Sequence, residues 1–252
     1  MISTTEYIPK SILEEFVVSF YFNKSDNFEY RGYANPTTNQ ELFFNMGDNF
    51  ELRNSVGQVN SQRSWISGAQ SKSVSIISSG RHVSAGVIFK PWGLYGAFGI
   101  NGKELANKVI DNSLFCDLSN KLCNSKFCDS QFFDLIEYKL LKSIKRSNMT
   151  KVMQKIAIEI EQENLVALSE KLSYSKKTII ESFNKMVGLS PHKFYMLNSI
   201  CKVIKILSSN PTTKLTELAY NEGFYDQAHF IRVFKGHIGM TPTEFRDRIL
   251  KM

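Results

Sequence analysis

The residues best suited to a binding chemistry lie in two stretches near the C-terminal end of this 252-residue chain. The outward residues of the second stretch are Asp226, Gln227, Ala228, Ile231, Arg232 and Lys235. A glutamine amide can form two hydrogen bonds with adenine, and an arginine guanidinium can form two with guanine. Lys235 is better suited to a phosphate oxygen because its ammonium group is a compact point charge. This set predicts the reading of base edges in the major groove of double-stranded DNA.

The first stretch has a different chemistry. Its outward residues are Lys176, Lys177 and Thr178, followed by Glu181. Two lysines at the start of a helix oppose the helix dipole unless a phosphate lies nearby, so they favour contacts with the DNA backbone. The carboxylate of Glu181 can accept a hydrogen bond from cytosine but repels phosphate. We therefore expect the first stretch to hold the DNA backbone more than it reads bases.

An internal repeat relates the two stretches. Phe183, Gly188, Ser190, Pro191 and Phe194 recur 51 positions later as Phe234, Gly239, Thr241, Pro242 and Phe245. Upstream, Leu165 and Leu168 match Leu215 and Leu218 with an offset of 50. Two copies of one supersecondary unit are the simplest explanation of this spacing.

Each copy has the pattern of a helix, a tight turn and a second helix. In the second copy, Leu215 and Leu218 belong to a short helix, and Gly223 allows a turn with positive φ. Asp226 can cap the helix that follows, and Ser175 is the corresponding cap in the first copy. This layout predicts two helix-turn-helix units. They are residues 165–194 and 215–245, and the long helix that joins them runs from Pro191 to Ser208.

The segment Leu218–Lys235 and its continuation Gly239–Arg246 resemble the signature of the AraC/XylS family of transcription regulators. The resemblance extends over about residues 155–250. It implies an all-α domain of seven helices, in which the second helix of each unit enters the major groove on successive turns of the duplex. Three positions of the first unit and the joining helix depart from the family: Glu181 and Ser199 stand about where arginine is common, and Ser173 replaces a glycine.

Residues 1–149 and 150–252 are predicted to be separate domains, and the second carries +5 of the net charge of +7. Phe16–Phe22, Glu41–Met46 and Val83–Phe89 predict strands, the last with one buried face. The segment Phe89–Gly99 resembles the end of the cupin-like sensory domain of some AraC/XylS regulators. The predicted fold class is therefore α+β: an N-terminal cupin-like β-barrel with flanking helices, followed by the all-α domain.

The same resemblance implies a short helix near Lys103–Val109 and leaves two roles open for the front domain. One role is a pocket for a small-molecule effector. The candidates for its wall are Trp65, Trp92, Tyr95 and Phe98, each of which is equally suited to a core. The other role is homodimer formation through the predicted helix Gln131–Ile144, whose apolar face could instead cover the barrel.

Several other functions lack the residues they need. A cupin metal site needs several histidines and a carboxylate, but the front domain has one histidine, His82, so no metal is expected. The cysteines, Cys116, Cys123, Cys128 and Cys201, lack zinc-site spacing and are expected to be reduced thiols. Neither a phosphate-binding glycine loop nor a nucleophile elbow is present, so no enzyme activity and no cofactor are predicted. Without a signal peptide or a run of about 18 apolar residues, a cytoplasmic protein with no membrane contact is expected.

These observations predict a sequence-specific DNA-binding transcription regulator that responds to a small effector. An activator that contacts RNA polymerase is one form of such a regulator, and the sequence leaves activation and repression open. The alternative is a ligand- or partner-binding protein with a weakened DNA domain, because the first unit departs from the family pattern. A cupin-type enzyme is the least favoured alternative.

Overall fold

The computed structural model describes residues 2–53, 59–60, 63–112, 115–123, 128–144, 148–159 and 165–251. The strands are β1 (Ser3–Tyr7), β2 (Val17–Ala34), β3 (Gln40–Asn45), β4 (Asn49–Arg53), β5 (Val59–Asn60), β6 (Ser64–Ser67), β7 (Val74–Phe89) and β8 (Val109–Asp111). The helices of the front part are α1 (Gly93–Phe98), α2 (Gly102–Leu105), α3 (Cys116–Cys123) and α4 (Asp129–Ser143). Those that follow are α5 (Lys151–Glu159), α6 (Leu165–Leu172), α7 (Lys176–Val187), α8 (Pro191–Ser209), α9 (Leu215–Asn221), α10 (Gln227–Ile238) and α11 (Pro242–Leu250).

The strands form one antiparallel sheet, and the α+β fold class is confirmed. The order along the sheet is β1-β2-β7-β3-β6-β8, and β4 pairs with both β7 and β5. Strands β2 and β7 are long enough to pair along their whole length, with a register shift between Ser25 and Phe28 where the ladder bends. The expected barrel is not closed, because within the described residues β1 and β8 remain the two ends of the strand order.

Strand β7 is buried on both faces from Val83 to Val87, whereas one buried face was expected from Val83 to Phe89. Ala85, Val87 and Phe89 join the main core of the front domain, as the alternation predicted. The opposite face also lacks solvent contact, since Ser84 and Gly86 are buried. A Cβ at Gly86 would lie 2.6 Å from the Tyr21 hydroxyl, so the neighbouring strand covers this position directly. Hydrophobic alternation alone cannot show that a curved sheet covers its own polar face.

Helix α4 covers the sheet with its apolar side. Phe132, Phe133, Ile136 and Leu140 are buried in the same core as β2 and β7. The ring of Phe133 stacks on Tyr7 and Phe20, with centroids 5.7 and 6.5 Å apart. Of the two roles predicted for this helix, covering the sheet is the one that its contacts show.

The helix implied near Lys103–Val109 is shorter than expected. Helix α2 ends at Leu105, and Val109 begins strand β8. Asn107 has a φ of +59°, which interrupts the helix. Its side-chain oxygen accepts hydrogen bonds from the backbone and hydroxyl of Ser71, each 2.7 Å long, which holds the turn in place.

Candidate DNA interface

The second helix-turn-helix unit consists of α9, a short turn and α10. Helix α10 buries Phe230, Phe234 and Ile238 against α8 and α11, so its opposite face is free to meet a ligand. Gly223 in the turn has a φ of +76°, as predicted for this position. The Asp226 carboxylate accepts a hydrogen bond of 2.6 Å from the backbone N–H of His229, which confirms the predicted cap.

The residues predicted to contact DNA from α10 share one property, which is exposure to solvent. They are Asp226, Gln227, Ala228, Ile231, Arg232 and Lys235. Asp226 differs from the others because one of its oxygens already serves the cap. Gln227 and Arg232 are five positions apart and so point about 140° apart around the helix axis, with Ile231 in the arc between them.

The first unit, α6 to α7, has the same layout with a different surface. Ser175 caps α7 by accepting a hydrogen bond of 3.1 Å from the backbone N–H of Thr178. Lys176, Lys177 and Glu181 are exposed. Thr178 is only half-buried, and its hydroxyl lies 2.9 Å from that of Ser175, so the cap uses part of its hydrogen-bonding capacity.

The turns of the two units have the same backbone conformation but different residues. Ser173 has a φ of +56°, and Gly223, at the equivalent position of the second unit, has +76°. A residue with a Cβ is strained in this region, whereas glycine is not. The departure at position 173 therefore costs stability without changing the path of the chain.

Ser199 takes a structural position rather than an exposed one. It is buried on α8, and its hydroxyl donates a hydrogen bond of 3.1 Å to the carbonyl of Glu222. This bond ties the long helix to the turn of the second unit, just before Gly223. A small hydroxyl fits here, and it does not reach the outward face.

The comparisons with known proteins agree with this geometry. Residues 168–248 match the family described as a helix-turn-helix domain. The Msm operon regulatory protein of Streptococcus mutans is 32% identical over 82 residues, which cover 32% of this chain and 29% of that protein. The HTH-type transcriptional regulator MtrA of Neisseria gonorrhoeae is 28% identical over 108 residues, which cover 42% and 36%. This chain is therefore similar to transcription regulators that carry a helix-turn-helix domain. It matches about a third of the length of these curated relatives.

The front part of this chain has a match of its own. Residues 5–111 match a family described as a domain of unknown function, DUF6597. Among solved structures, ToxT from Vibrio cholerae O395 aligns over 100% of this chain and 99% of its own, with 14% identity and a TM-score of 0.48. The C-terminal domain of AraT from Geobacillus stearothermophilus aligns over 40% of this chain and 88% of its own, with 20% identity and a TM-score of 0.36.

Two exposed tyrosines beside the turn of the second unit were missed from the sequence. Tyr220 is 84% exposed at the end of α9, and Tyr225 is 92% exposed directly before the cap of α10. A phenol at such a position can donate a hydrogen bond to a phosphate oxygen. Tyr220 could have been found, because it does not fall on the apolar face of α9, whereas Tyr225 lies in the turn, where helical spacing gives no signal.

The four aromatic residues predicted as a pocket wall do not lie in one pocket. Trp65 stacks on Phe43 with ring centroids 3.9 Å apart, inside a small cluster on one face of the sheet. Phe98 packs against the main front core, whereas Tyr95 and Trp92 pack with the first helix-turn-helix unit. Three different environments therefore replace the single wall.

The histidine and the two cysteines whose side chains are described, Cys128 and Cys201, lie in separate places, whereas the side chains of Cys116 and Cys123 are outside the described part. His82 is buried, and its two ring nitrogens lie 3.1 and 3.0 Å from the hydroxyls of Ser78 and Ser84. Burial raises the pKa of the Cys201 thiol to about 11, while Cys128 is exposed. Among the described residues, no three His, Cys, Asp or Glu side chains come together. In the same part of the chain, no helix is both long and apolar enough to cross a bilayer.

Proposed function

We propose that this protein is a sequence-specific DNA-binding transcription regulator. The observation that carries the proposal is the second unit, in which a capped helix buries one face and exposes Gln227, Ala228, Ile231 and Arg232 on the other. A recognition helix with outward polar residues in its first turns is the arrangement that reads base edges. The helix-turn-helix family match over residues 168–248 and the similarity to named regulators support this role.

Each exposed residue has a proposed contact. Gln227 pairs with adenine and Arg232 with guanine, and Ala228 and Ile231 meet thymine methyl groups. Lys235 contacts phosphate from the second unit. From the first unit, Lys176, Lys177 and Thr178 hold the backbone, while Asp226 mainly orients its helix through the cap.

Selection of duplex DNA from a random pool by the full chain tests this proposal. The full chain is needed because Tyr95 and Ala69 of the front domain belong to the core of the first unit. We expect one enriched motif, with the stronger base preferences at the positions read by α10. Affinity for that motif should fall steeply with salt, because lysine and arginine release counterions from phosphate.

The second candidate function is a ligand- or partner-binding protein with a weakened DNA domain. The exposed carboxylate of Glu181 at a position facing the duplex favours it. The same selection separates the two candidates, since a chain of this second kind would enrich no motif.

In either case, we propose two domains, 1–149 and 150–252, in a cytoplasmic protein without enzyme activity. A homodimer and contact with RNA polymerase are further parts of the regulatory proposal.

A further inference from the structure

Strand β2 has an unpaired side along the second half of its length. Strand β1 pairs with β2 from Phe20 to Lys24, whereas β7 pairs with β2 as far as Ala34. Within the described residues, no strand lies on the other side of β2 between Phe28 and Ala34, and this stretch is called the free edge. Its pairing with β7 is regular, because the register shift ends at Phe28. The free edge therefore presents backbone N–H and C=O groups that another strand can bond.

The free edge lacks the residues that usually protect such a strand. Open edges are commonly blocked by proline, by lysine or by a bulge within the exposed stretch. The sequence here is Phe-Glu-Tyr-Arg-Gly-Tyr-Ala, without proline or lysine. Tyr30 and Tyr33 face α11 across a cleft, yet they remain 38% and 59% exposed. The second helix-turn-helix unit therefore leaves these side chains accessible.

Two charged residues of the free edge have no partner in the described part of their own chain. Glu29 and Arg31 are both exposed, and their spacing of two places them on one face of the strand. Among the described residues, neither forms an ion pair. Glu51 and Arg53 of β4 have the same spacing but bond to each other at 3.4 Å. Glu29 and Arg31 therefore remain available to a second molecule.

The charges of the free edge are complementary to those of an identical edge in one register. When two copies of a strand pair in antiparallel fashion about a two-fold axis, the residue at the axis faces its own copy. With Tyr30 at the axis, Glu29 of each copy faces Arg31 of the other. With Glu29 or Arg31 at the axis, like charges face each other, which is destabilising. Charge therefore selects the register centred on Tyr30.

The aromatic rings on the other face of the free edge favour the same register. The rings of Phe28 and Tyr30 stack with centroids 5.9 Å apart and an interplanar angle of 7°. Tyr30 also covers Gly32, where an added Cβ would lie 2.5 Å from the Tyr30 hydroxyl oxygen. In the Tyr30 register, Phe28 of one copy faces Gly32 of the other, beside the ring that covers it. The four rings then become neighbours, and aromatic pairs across strands stabilise antiparallel pairing.

We propose that the free edge of β2 pairs with the same edge of a second copy of this chain, in the antiparallel register centred on Tyr30. The result is a two-fold dimer whose sheet continues across both front domains. This surface is different from the helix α4 that the sequence suggested for a homodimer. The proposal does not depend on DNA binding, because every residue that carries it belongs to the front domain.

Sedimentation of the full chain over a range of concentrations, without DNA, tests the dimer. We expect a reversible equilibrium between monomer and dimer. Arg31→Glu should raise the dimer Kd about tenfold or more, because it creates two symmetric contacts between glutamates. Glu29→Arg should have a similar effect through two contacts between arginines. A wild type that stays monomeric, or a dimer that neither variant weakens, would overturn the proposal.

Exchanging the two charges tests the register. In the double variant Glu29→Arg/Arg31→Glu, arginine again faces glutamate, so the Kd should return to within about threefold of the wild type. Arg53→Glu is the matched control, since Arg53 is an exposed arginine of the same sheet with a strand on each side, and its Kd should not change. All variants should keep the wild-type melting temperature. A double variant as weak as the single ones, or an equal loss in the control, would overturn the register.

The outcome of sedimentation is separate from the outcome of DNA selection. If the chain selects no DNA but its dimer follows the charges of residues 29 and 31, the proposed function fails and the free-edge assignment stands. If the chain selects a motif but stays monomeric, the free-edge assignment fails and the proposed function stands.

Discussion

At the scale of single residues, recognition depends on which groups remain free once each helix is capped. The caps of α7, α10 and α11 use Ser175, Asp226 and Thr241, whose side chains accept backbone N–H groups. Outward residues in the first two turns that follow a cap remain exposed, Gln227 and Arg232 among them. A short polar side chain therefore caps each of these helices, and in α10 the longer side chains of Gln227 and Arg232 remain available for bases.

Arg232→Ala tests the base contact most directly. Loss of a two-bond contact with guanine should cost about 1–3 kcal/mol in DNA binding and relax the preference at one base pair. Lys235→Ala should instead weaken binding to all sequences similarly and lower the salt dependence. Binding measured on the selected motif and on its single-base variants distinguishes the two. An Arg232→Ala protein that keeps the full preference would show that the guanidinium does not read a base.

Ser173→Gly should stabilise the chain. Ser173 has a φ of +56°, so removing its Cβ relieves strain, and we expect a gain of about 1 kcal/mol in the free energy of unfolding. The reciprocal change at the equivalent position, Gly223→Ser, should cost at least as much, because a Cβ there would lie 3.2 Å from the Tyr195 hydroxyl. Urea unfolding of both variants measures the pair. A neutral or destabilising Ser173→Gly would contradict the strain at this turn.

The residues of the candidate site could be predicted well where local rules decide them. A cap, a turn glycine and an outward helix position follow from spacing, so Gly223, Asp226 and Arg232 were placed correctly as elements of the unit. Tyr225 was missed because its exposure depends on how the turn leaves the core. The contact of His237 with Ser71 was missed because it joins residues 166 positions apart in the chain.

At the scale of elements, the first unit is joined to the front domain by contact between backbones. Gly188 ends α7 with a φ of +83°, and α2 meets it at Gly102, where an added Cβ would lie 2.5 Å from the backbone nitrogen of Gly188. Gln40, which is fully buried, bridges the same region by accepting from Leu94 at 2.9 Å and donating to the carbonyl of Met186 at 3.5 Å. The repeat predicted the glycine at 188, but its partner could only come from the fold.

The repeat offers a matched test of this contact. Gly188 and Gly239 end α7 and α10, and both have positive φ. A Cβ at Gly239 would meet nothing within 4 Å, whereas a Cβ at Gly188 would overlap the Gly102 carbonyl. Both alanine variants should lose about 1 kcal/mol to backbone strain, and Gly188→Ala should lose clearly more. Chemical denaturation of each variant gives the difference. Equal losses in the free energy of unfolding would show that the backbone contact between Gly188 and Gly102 adds nothing to stability.

At the scale of the whole molecule, the two helix-turn-helix units differ in how they contact the front domain. The core of the first unit includes Ala69 and Tyr95 of the front domain. The core of the second unit is built from α8 to α11 alone within the described residues, and His237 of α10 is hydrogen-bonded to Ser71 and Ser73 of the front domain. The front domain can therefore fix the first unit rigidly while it acts on the second through a smaller surface.

A fragment of residues 150–252 should show this difference by amide hydrogen exchange. Removing the front domain exposes the apolar surface that Ala69 and Tyr95 cover, so amides of α7 should lose protection by roughly tenfold or more. Amides of α10 should change much less, because the Phe230 and Phe234 core is retained. The full chain in the same buffer is the control. If α7 kept its protection in the fragment, the first unit would fold independently, and any signal from the front domain to DNA would have to pass through the His237 contact of α10.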